Sequence, residues 1–372
     1  MEGRTPMRES NLLYTDVEDA LREALRDLLT ARCPAGAATA LYDGDRSIVP
    51  LLWKSLAAEL GLAALLVPES AGGAGATARE AAVVQEELGR FAAPAPFLTS
   101  ALVATTVLNF SDADDLLSEL ASGERTAALV VPLSASVASF TPVVTATPRG
   151  TVTGQVTSVA GAVEADLLLV PVRVDEGIEV HAVDAAAVDA TPVVSLDMGR
   201  QLADLTFDEA PTRVVLGAEA GGPAVLAGLQ IGAAMLASEQ VGIAQWCLDT
   251  TVDYLQQRRQ FGRIVGGFQA LKHRLADLYT DVEGARAAAR YAAACAAEND
   301  PDLAVAASIA QAFCSQVAVK AAEECVQLHG GIGMTWEYPA HLYLKRAKAD
   351  QIAFGTPSVH RTVLSELVRL PI

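Results

Sequence analysis

The amino-acid sequence predicts a mainly α-helical α+β protein with more than one domain. Long stretches with apolar residues at helical spacing occupy both ends of the chain, and short β-type runs broken by Pro and Gly occupy its middle. At 372 residues the chain is long enough for two or three domains. The changes of pattern divide it into an N-terminal helical domain (residues 1–122), a middle β-domain (123–220) and a C-terminal helical bundle (221–372).

Composition and charge narrow the class of protein. Hydrophobic residues make up 51% of the chain and aromatic residues only 5%, which favours closely packed helices and excludes general disorder. The net charge of −18 argues against nucleic-acid binding, because a nucleic-acid site requires a basic surface. The five cysteines show no metal-binding spacing and are predicted to be buried thiols of a reduced, cytoplasmic protein; they are Cys33, Cys247, Cys295, Cys314 and Cys325.

No segment is predicted to enter a membrane or to direct secretion. The first ten residues are polar and charged, unlike a signal peptide. The uncharged run at 220–238 is nearly long enough to span a bilayer, but its glycines and Gln230 dilute its hydrophobicity. We therefore expect this run to be a buried helix of the C-terminal bundle.

The N-terminal domain shows helical periodicity. Apolar residues recur at spacings of three and four in 21–29 and again in 51–60. Thr77 is a good N-cap residue, and Glu80 three positions later completes a capping-box pattern. A helix is therefore predicted from this point to about Arg90.

From about Gly123 the pattern changes to short runs rich in Val, Leu and Thr. Runs of this kind between Pro and Gly residues are typical of strands, so a small β-domain is expected here. The predicted strands are 127–131, 143–147, 167–172, 178–183 and 205–207.

After residue 221 the helical pattern returns. The turn Asn299-Asp300-Pro301 separates two of the helices, and Ala-rich surfaces with short connections favour an antiparallel four-helix bundle. The predicted helices are 222–258, 266–298, 302–328, 341–352 and 357–369.

Two stretches of the C-terminal bundle contain candidate ligand-binding residues. The third long helix should stop at Gly330-Gly331, where the backbone is free to adopt positive φ and to expose its N–H groups. Residues 258–274 hold five Lys/Arg and no acid, and guanidinium groups of this kind bind phosphate oxygens in pairs. The apolar residues between these charges argue against a purely solvated face and favour a site for an anionic ligand.

Together these stretches resemble the acyl-CoA dehydrogenase family. In that family an Arg-x-x-Phe-Gly…Phe-Gln segment and a Gln-x-x-Gly-Gly turn grip the pyrophosphate and adenosine end of an FAD bound mainly by the neighbouring subunit. The resemblance implies the family's fold, with a helical domain that covers the acyl chain, a β-domain, and a four-helix bundle that assembles dimers of dimers. It assigns cofactor binding here to Arg258, Gln260, Phe261, Gln269, Gln327, Gly330 and Gly331.

The middle domain departs from the family pattern. Catalytically complete members carry a Thr-Glu-Pro…Gly-Ser-Asp strand and a Trp-Ile-Thr segment that hold the flavin ring and the thioester. Residues 130–136 and 156–161 stand at these places and match neither motif. Val and Ala side chains cannot donate the hydrogen bonds that a flavin ring requires. The resemblance therefore predicts a degenerate flavin-ring pocket.

The general base of the family reaction also lacks a match. Desaturation between the α and β carbons of an acyl-CoA requires a carboxylate close to the α carbon. The family offers two positions for it, and these hold Phe354 and Gly232 here. Glu239 is the nearest substitute, but it lies seven residues beyond Gly232, about 10 Å along a helix. We expect a buried polar contact for Glu239, and Glu337 and Asp350 are no better candidates.

Other residues near the two motifs have two interpretations each. His329, inside the glycine turn, would bond a ligand or cap the backbone. Trp336 and Tyr338 would stack on an adenine or line a subunit interface, and the interface is favoured. A solvated face is favoured over contact with CoA phosphates for the basic residues that follow, Lys345, Arg346 and Lys348.

The chain keeps the residues assigned above to cofactor binding, which we call the cofactor grip, but it lacks the general base. This combination predicts a subunit of a hetero-oligomer. The chain resembles the base-less subunit of the actinobacterial α2β2 acyl-CoA dehydrogenases that oxidise CoA thioesters of steroid side chains. The resemblance implies a homologous catalytic partner, FAD shared at the interface, an acyl-CoA bound mainly by the partner, and an electron-transfer acceptor. Two alternatives stay open: a self-sufficient homotetrameric enzyme that uses Glu239 or an unrecognised acid, and a flavin-free structural partner subunit.

Overall fold

The computed structural model describes residues 12–369 and has helices at both ends of the chain with a β-sheet between them, as the sequence predicts. The first ten residues, on which the expectation of no signal peptide depends, lie outside the described part. So do the outermost residues of the two helical domains, 1–11 and 370–372.

Helices form the N-terminal part. The Thr77 hydroxyl accepts a hydrogen bond from the Arg79 N–H, and the Glu80 carboxylate accepts one from the Thr77 N–H at 2.8 Å, which confirms the predicted capping box. A buried π-helical stretch, Phe97–Ala104, leads directly into the fourth α-helix. The α-helices are α1 (Asp16–Arg32), α2 (Ile48–Lys54), α3 (Ala78–Arg90), α4 (Thr105–Leu108) and α5 (Asp114–Ser122).

The middle part is a mixed β-sheet with its own small hydrophobic core. Its strand order is β6-β7-β3-β2-β4-β5-β8, and β1 pairs with β4 in parallel. Each of the five predicted strands is present. The strands are β1 (Ala127–Leu129), β2 (Val144–Ala146), β3 (Thr151–Ala160), β4 (Leu167–Val174), β5 (Gly177–Asp184), β6 (Asp189–Val193), β7 (Leu202–Pro211) and β8 (Arg213–Leu216).

Three strands, β3, β6 and β8, were missing from the prediction. The longest, β3, buries Val152 and Val156 on the core side, with more exposed polar residues between them. Gly154 interrupts the β-type pattern, and two register shifts against β7 show that the strand is bulged. A bulge breaks the strict alternation that reveals a strand in a sequence, so the pattern of β3 was hidden.

The C-terminal part is a bundle in which α6, α7 and α8 pack against one another and α10 packs on α8. The second helix was predicted from residue 266, but it begins at Gln269 after a single 3₁₀ turn, Val265–Gly267, and a small β-hairpin fills the gap left between the two predicted helices. The elements are α6 (Ala218–Gln257), β9 (Arg259–Gln260), β10 (Arg263–Ile264), α7 (Gln269–Ala297), α8 (Leu303–His329), α9 (Ala340–Asp350) and α10 (Pro357–Leu367).

Two helical stretches, α6 and Leu303–Met334, are long and apolar enough to cross a membrane. Most of each apolar window is buried inside the chain, 67% for α6 and 61% for the second stretch. They also pack against each other more extensively than any other pair of elements. Within residues 12–369 they are core helices of a bundle, as expected for 220–238.

The helical domains meet where α3 crosses α6. A Cβ atom on Gly242 would stand 1.9 Å from the Glu86 carbonyl oxygen, and one on Gly89 would stand 2.1 Å from the Glu239 carbonyl oxygen. Only glycine lets two helix backbones approach so closely. This crossing, with one continuous core that runs from α1 to Phe354 in the loop before α10, fixes the N-terminal helices on the bundle.

Candidate functional site

The two predicted cofactor-binding segments meet at one end of the bundle. The ring of Tyr254, near the end of α6, stacks on the ring of His329, the last residue of α8, with centroids 4.3 Å apart. The opposite face of His329 lies 4.4 Å from the ring of Tyr338, which follows the glycine turn. The sequence predicted both segments separately, and Tyr254, which joins them, was missed.

The hairpin after α6 presents the first segment to solvent. The Arg258 N–H donates to the Tyr254 carbonyl at 2.9 Å, and the Val265 N–H donates to the Arg258 carbonyl at 2.8 Å, so the hairpin closes on the helix end. Phe261 stands at the tip with its side chain 88% exposed and with a left-handed φ of 50°. Phe261 thus presents its aromatic ring to solvent from a backbone conformation that is unfavourable for a residue other than glycine.

The hairpin region also carries cations without carboxylate partners. Arg258, Arg259, Arg263 and Lys272 are exposed, and none forms an ion pair with any residue in the range 12–369. Arg274, the fifth cation of the block, pairs with Glu324 at 2.6 Å. Unpaired guanidinium and ammonium groups in one region suit phosphate oxygens, so the charges present fit the pyrophosphate of FAD.

The glycine turn presents the second segment. Gly330 has a φ of +64° and ends α8, as predicted from the Gly-Gly pair. A Cβ atom on Gly330 or Gly331 would meet no other atom within 4 Å, so the backbone there faces open space. Gln327 is exposed one turn earlier on the same helix, and Gln269 is exposed where α7 begins. Bare backbone next to exposed amides is a suitable surface for a dinucleotide.

His329 does not face this open space. It is 3% exposed, and its Nδ1 lies 2.7 Å from the Cys325 carbonyl oxygen, so the backbone contact among the two predicted uses is the one observed. Trp336 is 60% exposed and packs edge-on against Tyr42 and His341. Tyr338 is partly buried and bonds the Thr250 hydroxyl at 2.8 Å.

The two positions expected for the base lie against each other. A Cβ atom on Gly232 would stand 2.7 Å from Cε1 and Cζ of the Phe354 ring, so the ring rests on the backbone of α6. The Phe354 N–H donates to the Leu133 carbonyl at 2.8 Å, and a Cβ on Gly355 would stand 2.9 Å from the Ser136 side chain. The loop before α10 therefore touches both α6 and the β-domain segment 130–136.

Glu239 belongs to a buried polar cluster. Its carboxylate accepts hydrogen bonds from Gln85 at 2.5 Å, Arg200 at 2.6 Å and Arg346 at 2.7 Å. Arg346 also pairs with Asp197, and Arg200 pairs with Asp350. We call Asp197, Arg200, Glu239, Arg346 and Asp350 the junction cluster, because it joins the β-domain, α6 and α9.

The junction cluster corrects one site prediction, the one for Arg346. Arg346 was expected on a solvated face or near CoA phosphates, but it is 3% exposed and paired with two carboxylates. Asp350 is fully buried, and burial followed by the charge of Glu239 raises its pKa to about 8 despite Arg200 and Arg346. No local sequence pattern marks Arg200 or Asp197, so this cluster could not be predicted from residue spacing.

The remaining basic residues are engaged as well. The Lys345 ammonium lies 3.9 Å above the Tyr42 ring and 4.2 Å above the Trp336 ring, and burial lowers its pKa. Lys348 pairs with Glu323 at 2.8 Å on the surface. The five cysteines are buried and free, as predicted.

Comparison with known proteins identifies the family of the chain. Sequence profiles of the acyl-CoA dehydrogenase N-terminal and C-terminal domains match residues 15–124 and 219–368. The acyl-CoA dehydrogenase IpdE2 of Mycobacterium tuberculosis is 35% identical over 353 residues, which cover 94% of this chain and 97% of that protein. IpdE2 of Mycolicibacterium smegmatis is 32% identical over 343 residues, covering 92% and 96%.

Solved structures show the same fold. A chain of the ChsE4-ChsE5 complex from Mycobacterium tuberculosis superimposes with a TM-score of 0.85 at 26% identity, covering 97% of this chain and 100% of that one. A chain of the Tcur3481-Tcur3483 steroid ACAD variant gives 0.83 at 29% identity, covering 95% and 98%. The chain thus belongs to the acyl-CoA dehydrogenase family, whose members are FAD-dependent oxidoreductases.

Proposed function

We propose that this chain is the base-less subunit of a hetero-oligomeric acyl-CoA dehydrogenase that desaturates the CoA thioester of a steroid side chain. Solved complexes of two homologous chains, ChsE4-ChsE5 and the Tcur3481-Tcur3483 steroid ACAD, are among its structural neighbours and support this assignment. The partner is a homologous subunit in an α2β2 assembly, located in the cytoplasm, that passes electrons to an electron-transfer protein.

The contact between Phe354 and Gly232 is the observation that carries the proposal. Both positions expected to supply a carboxylate hold groups that cannot accept a proton, and together they fill the same volume with hydrocarbon. The bond from the Phe354 N–H to the Leu133 carbonyl joins this loop directly to the strand end where a flavin-ring site would be. We infer that the acyl-CoA and the flavin ring occupy the partner subunit, which also supplies the base.

The cofactor grip has a function only if the partner's FAD lies on it. Arg258 would pair with the pyrophosphate, and the Gly330-Gly331 backbone, which has open space where a Cβ would stand, would let the dinucleotide approach closely. Gln260, Gln269 and Gln327 would donate amide hydrogen bonds, while Phe261 would be covered by the partner. Bound FAD supplies the acceptor for the hydride from the β carbon.

Glu239 does not suit the role of base that a self-sufficient enzyme would require. Three side chains donate hydrogen bonds to its carboxylate, the buried Arg346, the partly buried Arg200 and Gln85, so its oxygens are occupied and its charge is compensated. A base must approach the α carbon of the substrate, and this carboxylate is only 2% exposed.

The test is the flavin content of the complex formed by co-expression with a homologue that carries a glutamate at the base position. Arg258→Ala and Gln327→Ala should each weaken FAD binding roughly tenfold or more, the loss expected for a charge-assisted or buried polar contact. Arg274→Ala is the matched control, because Arg274 already pairs with Glu324 and should leave FAD bound.

Two outcomes would overturn the proposal. A full complement of FAD on the chain purified alone would indicate a self-sufficient enzyme. Unchanged FAD content in the Arg258→Ala and Gln327→Ala complexes would indicate a structural partner without a role in flavin binding.

A further inference from the structure

Three aromatic rings form a continuous stack at the cofactor grip. His329 lies between Tyr254 and Tyr338, with ring centroids 4.3 Å and 4.4 Å away and interplanar angles of 27° and 33°. We call these three residues the aromatic stack. His329 is buried, while the two tyrosines are partly exposed.

Each ring is attached to a different part of the grip. The Tyr254 main-chain carbonyl accepts the Arg258 N–H at 2.9 Å, so this ring belongs to the helical turn from which the cationic hairpin starts. His329 lies directly before Gly330, so its ring holds the start of the glycine turn. The Tyr338 hydroxyl bonds Thr250 on α6 at 2.8 Å and ties the exit of the turn back to the first helix.

The histidine ring is fixed in this position. Nδ1 lies 2.7 Å from the Cys325 carbonyl oxygen, which only accepts, so Nδ1 must carry the hydrogen. Nε2 is buried and has no hydrogen-bond partner in the described part of the chain. Nδ1 of His329 is thus bonded to its own helix, and Nε2 is enclosed by protein. The ring therefore does not contact a ligand on the open side of the glycine turn.

We propose that His329 is a positioning residue that sets the separation between the Arg258 arm and the Gly330-Gly331 backbone, and so the affinity of the grip for FAD. The inference rests on the proposed function, in which these two segments hold one end of the same dinucleotide. Without the His329 ring, α6 and α8 would still pack against each other, but their ends would no longer be held at a fixed separation. Pre-organisation of this kind changes affinity without any contact to the ligand.

The experiment measures the FAD dissociation constant of the co-expressed complex by the fluorescence of released flavin. His329→Ala should weaken binding about tenfold, as expected when a pre-organised site is loosened. His329→Phe keeps a flat ring between the tyrosines and should stay close to wild type. Tyr338→Phe, which keeps the ring and loses only the bond to Thr250, should have a smaller effect than His329→Ala.

A second pair of variants separates positioning from general stability. Leu278→Ala removes a buried side chain of α7 that is not in the aromatic stack, so it should lower the melting temperature without weakening FAD binding. Equal losses of affinity in Leu278→Ala and His329→Ala would contradict the proposal. Should His329→Ala fail to assemble, Tyr254→Leu removes the neighbouring ring and must show the same tenfold loss.

The outcome also distinguishes this inference from the proposed function. Release of FAD by Arg258→Ala together with wild-type affinity in His329→Ala and Tyr254→Leu would mean that the grip exists but needs no positioning ring. Wild-type FAD affinity in Arg258→Ala would instead refute the grip itself.

Discussion

The phenyl ring of Phe354 rests on the backbone of Gly232, with Cε1 and Cζ 2.7 Å from where a Cβ on that glycine would stand. Phe354 lies in the loop before α10, and Gly232 lies in the middle of α6. At each of these two positions the family resemblance predicts a carboxylate. Their contact means that the two positions converge on one point of the fold, and that this point holds hydrocarbon alone.

The first prediction concerns this contact. Gly232→Ala adds a methyl group, and the Phe354 ring must move to make room for it. Overpacking of this kind lowers the unfolding free energy by about 1–3 kcal/mol. Urea denaturation of the chain measures the change. Because the glycine sits in a helix, where alanine is intrinsically favoured, a net loss would have to come from the collision with Phe354.

Gly222→Ala is the matched control on the same helix. Apart from its chain neighbours, the new methyl group would approach only Ile178, at 3.9 Å. Pro223 follows directly and disfavours a helical backbone at a preceding residue that carries a Cβ, which offsets the gain in helix propensity, so the substitution should change the unfolding free energy by less than about 1 kcal/mol. Adding Phe354→Leu to Gly232→Ala should recover part of the loss. If Gly232→Ala is as stable as Gly222→Ala, the ring does not occupy this space.

Local signals in the sequence predicted most of the fold. The capping box of Thr77 and Glu80, the glycine stop at Gly330 and the apolar period of α6 each depend on residues close together in the chain. Strand β3 was missed because its bulges and Gly154 hide the alternation of buried and exposed residues.

The candidate site was predictable only where motifs are contiguous. Arg258 and Gln327 belong to short motifs, and both lie exposed near the helix ends that the aromatic stack joins. The ion pairs of Arg346 join residues more than a hundred positions apart, with |i−j| of 149 to Asp197 and 107 to Glu239. No spacing rule connects such positions, so a basic residue on α9 was expected in solvent and is found in the core.

The second prediction concerns the junction cluster. Glu239→Gln removes one negative charge and leaves Arg200 and Arg346 with less compensation in a buried site. Breaking a buried ion pair in this way should destabilise the chain by roughly 3–5 kcal/mol. Turnover of the assembled complex, per folded molecule, should stay close to wild type if the partner subunit supplies the base, as the proposed function requires.

The control for this substitution is Glu323→Gln. Glu323 pairs with Lys348 on the surface, and exposed pairs contribute about 0–1 kcal/mol. Thermal unfolding of both variants, with a dye-reduction assay of their complexes, checks the prediction. Loss of turnover in a folded Glu239→Gln complex would return the role of base to this residue.

The third prediction is a pH dependence. The pKa of Asp350 is raised by burial and by Glu239 to about 8 in the folded chain, above its ordinary value of 3.8. Folding therefore takes up a proton between these values, and the stability from this group is lost as pH rises from about 4 to about 8. The slope is at most about 1.4 kcal/mol per pH unit for one group.

Asp350→Asn removes this proton uptake and keeps the acceptor for Arg200. Relative to wild type, the variant should therefore become more stable with each step from pH 5 to pH 8, as measured by urea denaturation at each pH. The other carboxylates titrate in both proteins and cancel in the difference. Parallel stability curves for the two proteins would mean that Asp350 is ionised in the folded chain throughout this range.

The last prediction concerns Phe261, whose ring is 88% exposed on a backbone with a φ of 50°. A left-handed backbone costs a non-glycine residue about 1–2 kcal/mol, and replacing that residue by glycine removes this cost. Glycine also gives the unfolded chain more conformational freedom, which cancels part of the stabilisation. Phe261→Gly should therefore raise the unfolding free energy of the isolated chain by up to about 1 kcal/mol, while it weakens assembly with the catalytic partner and lowers FAD content.

Asn299→Gly changes another left-handed residue at the far end of α7 and should leave assembly unchanged. Native mass spectrometry of the co-expressed complexes measures both variants, and a Phe261→Gly complex as tight as wild type would mean that the exposed ring has no partner to cover it.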